Sequence, residues 1–371
     1  MTITAAIART AGADFEIAQV DLDAPRADEI LVRIHGVGIC HTDLVAREGQ
    51  MATPMPAVLG HEGAGVVEAV GAAITKVVPG DRVVLTFRSC GVWVTCIRGE
   101  PAYCMEFGLM NTSGTRTDGS CTTHAHGETL MGNFFGQSSF AEYAITYERN
   151  VVKVPDDVPL HLMGPLGCGV QTGAGAVMRS MACRPGSSIV ILGGGSVGLS
   201  AVLGAVVQGC TSIVVSEPEA KRRALALEIG ATHVIDPSTA GLTEALRAID
   251  PLGMDYAFDT TGHPDVIQAA IAGLAKRGML SMVGLPTSFD ATIPLKLVAI
   301  IGMGVTIRGV IEGDSDPDVF IPDMIALYRA GRFPFDKLIK TYRLEDINKA
   351  IRDQKLGDVV KAVLLTDAVP K

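Results

Sequence analysis

The chain is poor in aromatic residues, holds a single tryptophan and has no excess of positive charge. Aromatics make up 5% of its 371 residues, against 48% apolar residues and 42 glycines, so its cores must be largely aliphatic and its turns tight. A net charge of −9 leaves no broad basic surface for nucleic acid or an anionic membrane. A membrane span is also missing, because the longest apolar region, residues 187–209, is broken by glycines and Gln208. The opening MTITAAIAR has neither the cationic start nor the long apolar run of a secretion signal. In such a chain clustered cysteines point to metal ligands rather than disulfides, and the protein is expected to be reduced and cytoplasmic.

The length suffices for two domains, each with its own core. The first half reads as strands and turns. Residues 29–35 alternate Ile30, Val32 and Ile34 with Leu31, Arg33 and His35, the period of a half-buried strand. Short Val-rich runs between glycines follow over residues 60–84, ending in the turn Pro79-Gly80-Asp81. Beyond about residue 170 short apolar runs at 188–192, 212–215, 233–235, 256–259 and 280–283 alternate with helical stretches. One of these, 219–229, places Ala220, Ala224 and Leu227 on one face and stops at Gly230. Such alternation predicts a parallel sheet covered by helices on both faces. The remaining segments predict a strand at 305–309, helices at 316–330 and 344–354, and a final apolar run at 359–365.

Gly193-Gly194-Gly195-Ser196-Val197-Gly198 follows the run SIVIL and opens an apolar helix, the context in which GxGxxG signals dinucleotide binding. Gly193 permits the turn, Gly195 lets backbone approach a pyrophosphate, and Gly198 allows close packing of helix on strand. The helix N-terminus then offers free N–H groups to the phosphates. Glu217 ends the next strand, where an acid accepts hydrogen bonds from the adenosine ribose and repels a 2′-phosphate, favouring NAD over NADP. Arg222 and Arg223 keep a phosphate-binding alternative open, although arginines on a helix are more often solvated.

Cys40, His61 and Cys168 stand in the glycine-flanked segments GICHTD, GHEG and GPLGCG. Two thiolates and an imidazole form the donor set of an open zinc site, whose fourth position is left to water or substrate. The spacing Gly60-His61-Glu62-x2-Gly65-x5-Gly71-x2-Ile74, with Cys40-His41-Thr42-Asp43 upstream and the Cys168 segment downstream, resembles the zinc-containing alcohol dehydrogenases of the medium-chain dehydrogenase/reductase superfamily. The stretches FFGQSSF (134–140) and GPLGCGVQTGAG (164–175) resemble its aryl-alcohol branch, which includes benzyl alcohol and geraniol dehydrogenases.

The resemblance implies an α/β chain with a GroES-like β-rich catalytic domain and a Rossmann domain with a doubly wound parallel sheet. The expected boundaries are 1–169 for the first, completed by 310–371, and 170–309 for the second. It implies that Cys40, His61 and Cys168 ligate zinc, with Glu62 beside the metal and able to exchange with its open ligand. Asp43 would orient His61, and Thr42 would accept the proton of the alcohol and pass it to the cofactor ribose. His41 would lie near the pyrophosphate, Lys361 would contact phosphate, and Val283 and Leu285 would sit close to the nicotinamide. Where many relatives end the proton relay in a histidine, this chain has Val45, leaving His41, ordered water or bulk solvent. The expected activity is reversible oxidation of a primary aromatic or allylic alcohol to the aldehyde, with zinc and NAD, in a homodimer or homotetramer whose contact lies near residues 305–309.

Phe134, Phe135 and Phe140, with Thr86 and Phe87, are expected either to wall an apolar cavity or to fill core. A last loop departs from the family. Relatives with a structural zinc have C-x2-C-x2-C-x7-C; here Cys90, Cys96 and Cys104 keep their places and Trp93 occupies the second. A structural zinc wants four ligands, so the expectation is an empty lobe covered by the Trp93 indole, with Cys121, His124 or His126 as less favoured replacement ligands. The sequence also admits two other readings: a zinc-free enone or quinone reductase on the same fold, and a non-catalytic redox sensor built on oxidisable thiols.

Overall fold

The computed structural model describes residues 1–125, 127–288 and 290–366. Two compact units divide the chain: the first combines Met1–Cys168 with Asp316–Arg329 and the segment from Ile339 onward, and the second combines Gly169–Ser315 with Ala330–Leu338. Residues 310–315 and 330–338 therefore belong to the second unit, whereas the boundaries expected from the sequence keep the whole of 310–371 with the first.

The first unit carries two antiparallel-rich sheets. The five-stranded one runs in the order Ala57–Val58, Thr2–Ala8, Glu16–Leu22, Thr123–Ala125, Glu128–Leu130. In the seven-stranded one the long strand Glu29–Gly38 is the hub, pairing with Gly63–Val70, Tyr143–Tyr147 and Lys361–Leu365. Ile30, Val32 and Ile34 are fully buried while Arg33 and His35 are half-buried, as the alternation requires, but Leu31 on the second face is buried as well. The pairing of Val363 with Gly38 brings the C-terminal strand beside the end of this hub, where Cys40 begins the short helix His41–Arg47.

The second unit is a six-stranded all-parallel sheet in the order His233–Ile235, Ser212–Ser216, Ser188–Leu192, Met254–Asp259, Leu274–Met282, Thr306–Gly309. Strand order 3-2-1-4-5-6 is that of the doubly wound dinucleotide fold, so the fold expected from the sequence is the fold found. The central strand Ser188–Leu192 is buried throughout, which explains its unbroken apolar run.

Two helical readings need correction. In Ala220–Glu228 the residues Ala220, Ala224 and Leu227 face outward, and Ala226 with Ile229 beyond the helix provides the buried contact. With alanines on both sides the apolar stripe was too weak to choose a face. The stretch 344–354 begins as a 3₁₀ turn, Leu344–Asp346, and becomes α-helical over Ile347–Lys355. Among the described residues no helix is long and apolar enough to cross a membrane.

Candidate metal centre and dinucleotide turn

Cys40, His61, Glu62 and Cys168 converge, with one potential ligand atom from each lying within 4.8 Å of the others. They come from the end of the hub strand, the segment before Gly63–Val70, and the residue closing the 3₁₀ turn Gly164–Gly167. All four belong to the first unit.

Asp43 ties two of these segments together. One carboxylate oxygen lies 2.8 Å from His61 Nδ1 and accepts the Gly60 N–H at 3.1 Å, while the other accepts the Cys40 N–H at 2.9 Å. The same carboxylate thus caps the helix that starts at His41 and fixes the imidazole so that Nε2 faces the thiols. Behind the ring, Phe135 stacks at 4.5 Å between centroids and Phe134 meets it edge-on at 5.7 Å. Phe134 and Phe140 are fully buried, and Phe87 and Phe135 nearly so. Phe140 packs on Phe15, and Thr86 spends its hydroxyl on the Gly167 carbonyl at 2.7 Å. These residues brace the centre from behind; of the two expectations for them, core is the one met.

Gln137, which no motif in the sequence singles out, is a further brace. Its amide nitrogen donates to the carbonyls of His61 and Thr86, and its oxygen accepts from the Gly63 N–H and the Ser139 hydroxyl. Because Thr86 in turn holds Gly167, Gln137 couples the histidine segment to the cysteine that follows Gly167. Its place within FFGQSSF was the only sequence signal.

Lys361, expected to contact phosphate, has a carboxylate partner within the first unit. It is buried, with Nζ 2.9 Å from both Glu62 carboxylate oxygens and 3.1 Å from the Ile39 carbonyl. The antiparallel pairing of its strand with the hub puts it there, since Ile39 N–H also bonds Ala362. Burial disfavours the ammonium, but the Glu62 and Cys40 charges outweigh it and raise the lysine pKa. Burial likewise pushes the Glu62 carboxyl up, against the opposing pull of Lys361.

Does this donor set fit zinc? His61 Nε2 is buried and has no hydrogen-bond partner. An orphaned imidazole nitrogen is costly in a protein interior, and here it faces two buried thiols. Contact with Cys168 and the neighbouring imidazole holds the Cys40 thiol pKa well below its usual range, although burial opposes this. A cation that accepts one imidazole and two thiolates satisfies all three groups at once, so the residues fit. Thr42 Oγ1 stands 3.8 Å from Cys40 Sγ on the same short helix, whose first residue, His41, is exposed. Val45 is buried on that helix and offers no proton acceptor.

The second unit contains the glycine turn. Gly193 has φ of +99°, and a Cβ on Gly198 would stand 1.9 Å from the Gly193 carbonyl oxygen, so both positions demand glycine. A side chain on Gly195 would meet no protein atom within 4 Å, which leaves that face of the turn clear. Val197 is half-buried in the first turn of the helix Ser196–Gln208, and the buried Ser196 hydroxyl beside it lacks a partner. Glu217 is held at the turn by the Gly194 N–H at 2.6 Å and the Glu219 N–H at 2.8 Å. Arg223 bonds the Glu217 and Pro218 carbonyls and pairs with Asp236 at 2.9 Å, while Arg222 is half-buried in the first turn of its helix. Val283 and Leu285 follow the carboxyl end of Leu274–Met282, the edge at which such sheets bind ligands.

Cys90, Cys96 and Cys104 form a separate group, again with their sulfurs within 4.8 Å of one another. Trp93 precedes the short helix Val94–Ile97 and is 46% exposed, so the indole is no buried plug over the sulfurs. Cys121 lies beside Met131 and His124 beside Asp23, and neither joins the group; His126 is outside the described residues.

Two family models match the chain: an alcohol dehydrogenase GroES-like domain over residues 26–156 and a zinc-binding dehydrogenase over residues 196–329. The geraniol dehydrogenase of Castellaniella defragrans is 48% identical over 363 residues, which are 97% of each chain. Among solved structures, benzyl alcohol dehydrogenase from Acinetobacter calcoaceticus superposes with a TM-score of 0.95 at 41% identity, over 99% of both chains. An alcohol dehydrogenase zinc-binding domain protein from Burkholderia ambifaria gives 0.96 at 46% identity, over the whole of both chains.

Proposed function

Because the chain belongs to the zinc-containing alcohol dehydrogenases of the medium-chain dehydrogenase/reductase superfamily, we propose that it oxidises primary aromatic or allylic alcohols to aldehydes, reversibly, with NAD. Zinc and a nicotinamide dinucleotide are the cofactors of this family. The observation that carries the reading is the convergence of two thiols on an unpartnered buried imidazole nitrogen, all braced from behind. Cys40, His61 and Cys168 hold the metal, with Glu62 at its side. When bound, zinc supplies Lewis acidity that makes an alcohol hydroxyl more acidic and an aldehyde carbonyl more electrophilic.

The residues of the chain do the rest. Asp43 holds the His61 Nδ1 proton and so leaves Nε2 as the nitrogen directed to the metal. The Thr42 hydroxyl, which can accept one hydrogen bond while donating another, takes the alcohol proton and hands it on. With Val45 in the relay position, the onward route runs through exposed His41 or directly to water. In the second unit the helix start at Ser196 receives the pyrophosphate, with Val283 and Leu285 beside the nicotinamide. The Glu217 carboxylate receives the ribose hydroxyls and repels a 2′-phosphate, which selects NAD.

The aromatic or allylic preference draws on the geraniol and benzyl alcohol dehydrogenases among the relatives. A cytoplasmic location is consistent with eight free cysteines. The edge strand Thr306–Gly309 and the exposed Leu297, Val298 and Ile301 suit pairing with a second copy of the chain, giving a dimer or tetramer.

Following NADH formation from benzyl alcohol, geraniol and ethanol, with NADP as the competing acceptor, tests the whole reading. Oxidation of the first two with NAD, abolished by a chelator and restored by zinc, is the expected result. Activity that survives metal removal, or reduction of an enone in preference to an aldehyde, would move the chain to the reductase reading.

A further inference from the structure

The loop that holds Cys90, Cys96 and Cys104 does not fit the closed four-thiolate zinc of relatives, yet it is not built as a vacant loop. Cys104 Sγ lies 3.4 Å from Cys90 Sγ, and Cys96 Sγ lies 3.9 Å from the same atom. Metal–sulfur bonds of about 2.3 Å separate sulfurs by about 3.8 Å at a tetrahedral centre and about 4.0 Å in a planar triangle. The three sulfurs are therefore already near the spacing that one shared ion imposes. Backbone N–H groups point at them as well: Val92 donates to Cys90 Sγ at 3.4 Å, and Cys90 donates to Cys104 Sγ at 3.4 Å. Such donors stabilise thiolate rather than thiol. The helix Val94–Ile97 and the turn Pro101–Tyr103 fix the loop between the cysteines, and Cys96 and Cys104 are both buried.

A fourth ligand is absent among the described residues. An indole cannot replace a thiolate, since its nitrogen is only a donor. Zinc in structural sites is almost always four-coordinate, whereas soft cations such as copper(I) are selected by thiolates and do not need a fourth ligand. We propose that this loop is a three-thiolate site for a soft, low-coordinate cation of the copper(I) class. Each metal–sulfur bond that forms displaces one thiol proton to solvent, and no electron is transferred. The catalytic centre shares none of the ligands.

Trp93, the single tryptophan of the chain, stands in this loop and reports on it. The zinc-loaded enzyme is titrated without oxygen with copper(I), supplied as its acetonitrile complex and buffered by a copper(I) chelator, while tryptophan emission, bound zinc and NADH formation are followed together. The expected result is a fall in emission with a break at one equivalent, no loss of zinc and unchanged activity. Cys96→Ser should weaken this binding by at least about 100-fold. Trp93→Cys, which restores a fourth thiolate and guards against a Cys96 variant that fails to fold, should turn the loop toward zinc, so that the purified variant carries one more zinc than the parent.

Three outcomes would overturn the proposal. Emission that stays flat through several equivalents means that the thiols do not take the ion. Copper that expels zinc and stops NADH formation is binding at the catalytic centre. Parent enzyme purified with a second zinc that copper does not displace has a four-coordinate loop after all.

Discussion

The two thiol groups of this chain are close in composition and opposite in construction. Cys40, His61 and Cys168 are gathered from three separate segments, and each rests on buried polar and aromatic residues: Asp43, Gln137, Thr86, Phe134, Phe135 and the Lys361–Glu62 pair. Cys90, Cys96 and Cys104 come from one loop and rest mainly on that loop's own backbone. A centre assembled through the whole fold is held in one geometry by many contacts, which suits chemistry that tolerates little misplacement. A loop-borne site can lose a ligand, as Trp93 records, without dismantling what surrounds it.

The largest effect belongs to the assembled centre. Cys168→Ser should lower NADH formation by about 10⁴-fold and release the metal, because a weak neutral donor replaces a thiolate. Trp93 emission should not change. A variant that keeps its zinc and most of its activity would break the comparison at its stronger end.

Next in size is the ion pair beneath the centre. Lys361→Met leaves the Glu62 carboxylate buried beside apolar atoms and should cost about 3–5 kcal/mol in urea unfolding. Removing both charges, with Lys361→Met and Glu62→Leu together, should recover a large part of that loss. A double variant no more stable than the single one would mean that Lys361 acts through packing and not through its charge.

Part of this architecture could be read without coordinates, for physical reasons that differ by element. The strands at 188–192 and 29–35 were legible because burial on two faces or one leaves a pattern along the chain itself. The glycine turn was legible because Gly193 and Gly198 answer to local demands, a positive φ and a close approach within a few residues. The ligand set was legible only through resemblance, since nothing local tells Cys168 that it will meet Cys40. Lys361 shows the limit of that route: its basic character stands in the sequence, but its partner Glu62 follows from the pairing of the last strand with the hub. Gln137 and the phenylalanines could not be sorted into brace or pocket wall, because an amide or an aromatic ring has the same sequence signature in either role. The three-cysteine loop was the reverse case. Its ligands were visible as spacing alone, and what coordinates added was that the sulfurs meet and that Trp93 is half exposed.

A smaller effect separates holding a ligand from being one. Asp43→Asn keeps the shape of the side chain but removes the charge that holds the Nδ1 proton of His61. It should weaken zinc retention by about 10–100-fold, read as the rate at which a chelator strips the metal. Zinc retention equal to the parent would show that Phe134, Phe135 and the backbone around Gly60 suffice to orient the ring.

The smallest effect on catalysis should come from the loop. Cys104 is buried and its thiol pKa is pushed up to about 11, chiefly by burial, so in the metal-free loop it is a protonated, inert group near neutral pH. Serine in its place retains a small buried polar atom and disturbs the backbone little. Cys104→Ser should therefore leave NADH formation within about twofold of the parent while lowering unfolding stability by about 1 kcal/mol, a typical value for a single buried substitution. None of the residues that brace Cys40, His61 and Cys168 is drawn from the loop; a link to them runs through Phe107, whose N–H bonds the Cys104 carbonyl and whose ring meets Phe135 edge-on at 6.3 Å, and a serine at 104 leaves that backbone bond in place. A rate that falls tenfold with zinc still fully bound would show that the loop positions the assembled centre, and the two thiol groups would then be one construction rather than two.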